Sequence, residues 1–167
     1  MAATEAWLGG PIPGVSPLLQ PAAHALEQVR RDLPPALRAA GAERIWRRPG
    51  RSASIGYHAV HLAGALDRLF TYARGESLSD DQRAALARER NIDAEPMEPE
   101  AIAGMVEAGI ARAIEQLRAT RDDALLVGRE VGRARLPSTV LGLLFHGAEH
   151  SARHAGQVMT LLRVTEE

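Results

Sequence analysis

The sequence contains no cysteine and no lysine, and all 20 of its basic residues are arginines. Without cysteine the chain has no thiolate nucleophile, iron–sulfur cluster, zinc finger or disulfide framework. Without lysine it has no Schiff-base amine and no P-loop lysine to hold a phosphate. Redox catalysis by the chain itself is therefore not expected, and the lack of disulfides fits a reducing compartment.

The chain also lacks a strong net charge and a long apolar run. Its formal net charge is −1 at pH 7 and its arginines are spread along the sequence, so we expect no nucleic-acid partner. No apolar stretch approaches the roughly 18 residues that cross a bilayer, and we expect no membrane association. The first residues, MAATEAWLGGPIPG, do not resemble a signal peptide. These absences predict a cytoplasmic protein.

What the sequence does contain is helix-forming. Alanine-rich segments with apolar residues three and four positions apart predict amphipathic helices, and capping serines, prolines and glycines predict where they begin and end. We expect Pro34 and Pro35 to break or restart the first helix, because proline interrupts the hydrogen bonds of a helix. The four predicted helices lie at about 17–33, from Ser52–Ser54 to Gly75, from Pro99 through Leu117, and from a Ser138 cap to about 163.

The segments between these helices are polar or rich in glycine. Residues 38–50 are predicted to be a connection, residues 76–98 a long crossover with a short helix around 80–90, and residues 122–137 a loop or small hairpin. The predicted fold is all-α: an N-terminal extension, residues 1–16, followed by one domain, residues 17–167. We expect this domain to be an up-down-down-up four-helix bundle, an architecture that builds metal sites from facing helices.

Five of the six histidines lie on two of these helices. His58 and His61 lie on the second, and His146, His150 and His154 follow at intervals of four residues on the fourth. Imidazoles at i and i+4 lie on one helical face and are close enough to share a cation. A single inward histidine is more often a hydrogen-bonded core residue. Two on one apolar face are harder to satisfy, since each unpaired nitrogen costs about 1–3 kcal/mol.

Helical periodicity separates these histidines only in part. On the fourth helix His154 points into the apolar arc, His150 lies near its edge, and His146 is on the rim. On the second helix the same construction favours His58, because it lies closer to the apolar stripe than His61. The residues alone therefore leave both a metal site and a polar core open, and they leave the third ligand undecided.

Two longer segments resemble a known family. SIGYHAVHLAGALDRLFTYARGESLS, residues 54–79, and LPSTVLGLLFHGAEHSARHAGQVMTLLR, residues 136–163, resemble the DinB-like superfamily of four-helix metal-binding proteins. The likeness covers most of the chain from about Arg44 onward. It implies that the metal ligands are His61, His150 and His154, against the periodicity preference for His58. His58 and His146 stay open as hydrogen-bond partners of the ligands or as a rival ligand set.

Three neutral imidazoles leave a divalent cation with an open coordination position, at which a thiol or water can be activated. Zinc, nickel and iron all suit such a site. The resemblance implies transfer of a low-molecular-weight thiol, such as bacillithiol, mycothiol or glutathione, to an electrophilic small molecule. Hydrolysis of a small ester or amide, or a non-catalytic role as a metal-binding stress protein, are the alternatives, and the sequence leaves open whether the chain is an enzyme.

No residue of the sequence qualifies as a general base. Several polar and aromatic residues are candidates to surround the metal, although each is also an ordinary surface or packing residue. These candidates are Trp46, Arg47, Arg48, Tyr57, Tyr72, Glu149, Arg153 and Gln157. We expect a homodimer, because two-fold assembly is the commonest arrangement of soluble oligomers and because the resemblance implies it.

Overall fold

A computed structural model describes residues 4–166, and this part of the chain is mostly helical. Across these residues there are six α-helices and one two-stranded antiparallel sheet. They are α1 (Gln20–Ala40), α2 (Ala42–Trp46), α3 (Ile55–Ala73), α4 (Asp80–Glu89), α5 (Pro99–Ala119), β1 (Gly128–Val131), β2 (Leu136–Thr139) and α6 (Val140–Val164). The predicted all-α class is confirmed.

Four long helices, α1, α3, α5 and α6, bury the core between them. Helix α3 packs against α5 and α6, and α1 packs against the same two helices. The apolar stripes predicted from the sequence are the surfaces that meet. Among the fully buried side chains are Leu26, Leu33, Leu62, Leu66, Ile102, Ile110, Leu117 and Leu144.

The first helix continues past the point at which the sequence predicts its end. Pro34 and Pro35 lie inside α1, which runs on to Ala40, so the predicted break was wrong. A proline in a helix costs about 3 kcal/mol. Continuation buries Leu37 completely and extends the apolar stripe of Leu33, and it places Arg38 against α5. Tertiary packing therefore outweighs the local preference of the two prolines.

Part of the predicted N-terminal extension packs against α1. Gln20 donates hydrogen bonds from Nε2 to the backbone oxygens of Ile12 and Val15 at 3.0 and 2.9 Å. The backbone N–H of Ala6 donates to Gln28 Oε1 at 2.7 Å. Met1–Ala3 of the predicted extension lie outside the described residues.

The predicted crossover contains the short helix α4, which lies along α3. Ser79 and Gln82 form a capping box at its start. Gln82 also donates from Nε2 to Asp67 and Thr71 of α3, the latter at 2.8 Å. These contacts dock α4 on the outer side of α3. The predicted connection at residues 38–50 likewise contains a short helix, α2.

The segment before α6 is a hairpin, in which Gly128 pairs with Thr139 and Val131 with Leu136. Thr139, and not Ser138, caps α6. Its side-chain oxygen accepts a hydrogen bond from the backbone N–H of Gly142 at 3.0 Å. Ser138 is the penultimate residue of β2, so the predicted cap was wrong by one position.

Replacing Thr139 with alanine is expected to lower the free energy of unfolding by about 1 kcal/mol, because a backbone N–H at the start of α6 loses its acceptor. Ser138→Ala is the matched control and should change stability by less than about 0.5 kcal/mol. Urea denaturation followed by circular dichroism measures both. An equal or larger loss in Ser138→Ala would show that the capping residue is misassigned.

Of the helices in the described residues, none is both long and apolar enough to cross a bilayer.

Candidate metal centre

The clustered histidines come from α3 and α6, which pack along each other. Ser54 fixes the start of α3: its hydroxyl accepts a hydrogen bond from the backbone N–H of Tyr57 at 3.1 Å and donates to Asp93 Oδ1 at 2.7 Å. The first two turns of α3 then present His58 and His61. His61 points away from the apolar stripe of α3, toward the space between α3, α4 and α6.

His61, His150 and His154 come together at this place. Each offers one ring nitrogen, and the three nitrogens all lie within 4.8 Å of one another. The Nε2 atoms of His61 and His150 are 3.1 Å apart, and the ring centroids of His150 and His154 are 4.5 Å apart. All three side chains are half-buried. Residues from two helices, separated by up to 93 positions in the sequence, thus come together at one site.

This donor set fits a divalent cation. Zinc–imidazole bonds of 2.0–2.1 Å in a tetrahedral site separate two ligand nitrogens by about 3.3 Å, close to the 3.1 Å between His61 and His150. A hydrogen bond between those two rings would account for that pair alone. It would not explain why the nitrogen of His154 lies in the same cluster. Three nearby histidines could therefore hold a metal ion.

Two of these histidines also have partners outside the group of three. His154 Nδ1 lies 2.9 Å from His58 Nδ1, and His61 Nδ1 lies 3.1 Å from Oε2 of Glu89. His58 is therefore beside the three-histidine cluster and not part of it. The periodicity was right that His58 is the more buried of the α3 pair, but burial does not bring its ring nitrogen into the cluster.

Glu89 is the site residue that the sequence did not reveal. It is the last residue of α4 and is only 6 % exposed. Arg68 of α3 forms an ion pair with it through both terminal nitrogens, one of them 3.2 Å from Oε2. The sequence signal is weak, because a glutamate in a polar connection is ordinarily solvated. Only the docking of α4 on α3 brings it to His61.

The remaining candidates lie around the cluster or away from it. Tyr57 stacks parallel to the His61 ring, with centroids 5.6 Å apart. His146 is exposed, and its Nδ1 is 3.5 Å from Glu149, which also pairs with Arg153 at 2.5 Å. Gln157 is exposed as well. None of these four α6 residues belongs to the group of three nitrogens.

Other candidates serve packing or lie at a distance. The ring of Trp46 covers Gly56, and its Nε1 donates to the backbone oxygen of Met97 at 3.0 Å. Tyr72 borders a groove with the hairpin at the far end of α3, about 16 Å along the helix from His61 at 1.5 Å per residue. Arg48 donates to the backbone oxygen of Ser52 at 3.1 Å. Arg47 is exposed.

A family model of the DinB superfamily matches residues 25–158. The chain belongs to the DinB superfamily. The matched residues extend from the first turns of α1 into the second half of α6. They include all five histidines of α3 and α6. The resemblance drawn from the two sequence segments is thus confirmed. No curated protein matches this DinB-superfamily chain significantly.

Burial disfavours the charged form of two of the three clustered imidazoles in this DinB-superfamily chain. It lowers the pKa of His154 to about 4, with further contributions from the neighbouring His150 and His61. Burial and the nearby histidines also lower the pKa of His150. Burial alone would raise the pKa of Glu89, but the hydrogen bonds from His61 and Arg68 bring it below its ordinary value. At neutral pH the site therefore combines the neutral imidazoles of His150 and His154 with the ionised carboxylate of Glu89.

The lowered pKa of His154 predicts how the stability of the metal-free protein depends on pH. The unfolded chain, in which the pKa is near 6.5, takes up a proton before the folded chain does. The contribution of His154 to stability is therefore fully present above pH 6.5 and is lost as the pH falls from there through about 4. We expect the urea midpoint of chelator-treated protein to fall as the pH is lowered through this window. His154→Gln should make the urea midpoint depend less on pH. His146→Gln, at an exposed position, should follow the wild type, and a wild-type midpoint that stays constant would contradict the prediction.

Proposed function

We propose that this protein binds one divalent cation through His61, His150 and His154, and transfers a low-molecular-weight thiol to an electrophilic small molecule. The observation that carries the proposal is the convergence of three half-buried imidazole nitrogens within 4.8 Å. Zinc, nickel and iron all accept imidazole ligands. When bound, such a cation supplies Lewis acidity that favours the deprotonated form of a thiol or water.

The chain's own residues explain why the nucleophile is expected to come from outside. The sequence has no cysteine and no lysine to act as one. The buried carboxylate beside the cluster, Glu89, is engaged by both Arg68 and His61, so it is poorly placed to shuttle protons. Hydrolysis of an ester or amide needs a proton delivered to the leaving group. Addition of a thiolate to an electrophile does not always need that delivery, which favours thiol transfer.

The half-buried positions of the three histidines leave one side of the cluster accessible to small molecules. Tyr57 covers the face of His61. Arg153 lies on the solvent side of α6, one position before His154, and its charge is balanced by Glu149. A carboxylated thiol would compete with Glu149 for this guanidinium. The proposed substrate is accordingly a small molecule.

Metal-loaded protein should convert electrophiles in the presence of low-molecular-weight thiols, and His154→Ala should abolish that turnover. The assay is a panel of electrophiles and activated esters, with and without thiols. His146→Ala is the matched control and should keep its activity, because it removes an exposed histidine of the same helix. Ester hydrolysis without a thiol would support the hydrolase instead. Inactivity across the panel would favour a non-catalytic metal-binding protein.

We also propose that the four long helices form a bundle of the up-down-down-up type. Arg38 near the end of α1 pairs with Glu100 near the start of α5 at 2.7 Å, which supports antiparallel packing. Arg74 at the end of α3 donates to Gln116 near the end of α5 at 2.6 Å, which supports parallel packing and so needs the long crossover at 76–98. His58 of α3 lies against His154 of α6 and His61 against His150. Later positions of α3 thus meet earlier positions of α6, which favours an antiparallel α6.

Three further expectations belong to the same proposal. The domain extends over residues 17–167, the protein acts in the cytoplasm, and it assembles as a homodimer. Two-fold assembly is the commonest form of soluble oligomer, and the lack of cysteine fits a reducing compartment.

A further inference from the structure

The ring of His61 has partners on both sides, and only one of them is another histidine of the cluster. Its Nε2 faces His150, and its Nδ1 lies 3.1 Å from Oε2 of Glu89. Glu89 belongs to neither helix that carries the histidines. It reaches the site from the end of α4, 28 positions further along the chain.

Residues of α3 form the space in which the Glu89 carboxylate lies. Gly64 lies one turn after His61 and one turn before Arg68, and a methyl group at Gly64 would collide with Oε1 of Glu89. The bare backbone of this glycine leaves the space in which the carboxylate lies. Arg68 then neutralises it from the other side. Three residues on one face of α3 therefore fit a single carboxylate from α4.

The chemistry of the contact fixes where the imidazole proton lies. An ionised carboxylate only accepts hydrogen bonds, so His61 must carry its hydrogen on Nδ1. The lone pair of a neutral ring is then on Nε2, the atom that faces His150. A histidine with a solvated Nδ1 would distribute its hydrogen between both nitrogens. Contact with Glu89 removes that freedom and orients the ring.

We propose that Glu89 is a positioning residue of this centre: seated over Gly64 and neutralised by Arg68, it holds His61 with Nε2 presented to the cation. The inference rests on the proposed function, since it takes His61 to be a metal ligand. It adds a residue outside the histidine motif, and it makes the affinity of the site depend on the docking of α4. Carboxylates that accept from a ligand histidine raise metal affinity in this way.

Zn²⁺ titration in competition with a chromophoric chelator tests the proposal. Glu89→Ala is expected to weaken Zn²⁺ binding by about 10- to 100-fold. Glu89→Gln keeps an acceptor oxygen and should recover most of the lost Zn²⁺ affinity. Arg68 lacks its carboxylate partner in both variants, so the difference between them reports the contact with His61. Gly64→Ala should also weaken binding because its methyl group displaces the carboxylate, while alanine itself favours the helix.

Gln82→Ala is the matched control, because it loosens the other end of α4 without touching His61. It should bind Zn²⁺ as the wild type does. Equal losses in Gln82→Ala and Glu89→Ala would show that only the docking of α4 matters, and unchanged binding in Glu89→Ala would overturn the proposal outright.

A second measurement uses the metal-free protein and separates this inference from the proposed function. In ¹⁵N NMR of labelled histidine, His61 should be the Nδ1–H tautomer in the wild type and a mixture in Glu89→Ala. A wild type that binds no Zn²⁺ but keeps this tautomer would overturn the metal function and retain the positioning role. The same tautomer in both proteins would overturn the positioning role alone.

Discussion

Alanine replacement of His61, His150 or His154 is expected to reduce the metal content of the purified protein from about one divalent cation per chain to nearly none. Each substitution removes one of three nitrogens that lie within 4.8 Å of one another and leaves two. Loss of a hydrogen-bond partner of a ligand already costs about 10- to 100-fold in affinity, and loss of the ligand itself should cost more. Elemental analysis after gel filtration measures the content.

Two histidines provide matched controls. His146 lies one turn from His150 on the same helix but is exposed, so His146→Ala should retain the metal. His58 contacts Nδ1 of His154 at 2.9 Å, so His58→Ala should bind the metal more weakly yet still contain it at saturation. If His58→Ala loses the metal and His61→Ala retains it, the ligand from α3 is His58, as helical periodicity alone prefers.

Helix positions could be read from the sequence where local signals and packing agree. Ser54 caps α3 and Gly75, with φ of 81°, follows its end, and Pro99 begins α5. At the end of α1 the two disagree. The local rule predicts a break at Pro34, and the burial of Leu37 overrides it. That burial depends on neighbouring helices, which a single helix cannot indicate.

The residues of the candidate site likewise fall into those that local spacing predicts and those that depend on the packing of other helices. The i, i+4 spacing places His150 and His154 on one face, and the structure brings their rings together. Periodicity favoured His58 over His61, because it measures only distance from the apolar stripe. His61 faces a groove that exists only once α4 and α6 flank α3. The place of Glu89 in the site could not be predicted from the sequence, because its contact with α3 depends on the path of a polar crossover.

Replacing Arg68 with methionine is expected to lower the free energy of unfolding by about 3 kcal/mol, because it leaves the carboxylate of Glu89 buried without its main counter-charge. The side chains of the two residues are 11 % and 7 % exposed, so water screens the pair poorly. Removal of one partner of a buried pair costs more than the pair itself contributes. The loss should therefore exceed that of an ordinary surface substitution.

A double-mutant cycle separates that cost from the value of the pair. Arg68→Met combined with Glu89→Met removes both charges and replaces them with apolar groups, so its stability should recover toward the wild-type value. Arg121→Met is the control: its partner Asp123 and Arg121 itself are 66 % and 81 % exposed, and the change should stay below about 0.5 kcal/mol. Urea denaturation of chelator-treated protein avoids the stabilisation that bound metal adds. If Arg68→Met costs no more than Arg121→Met, Glu89 does not depend on Arg68, and the carboxylate beside His61 must be stabilised by the histidine alone.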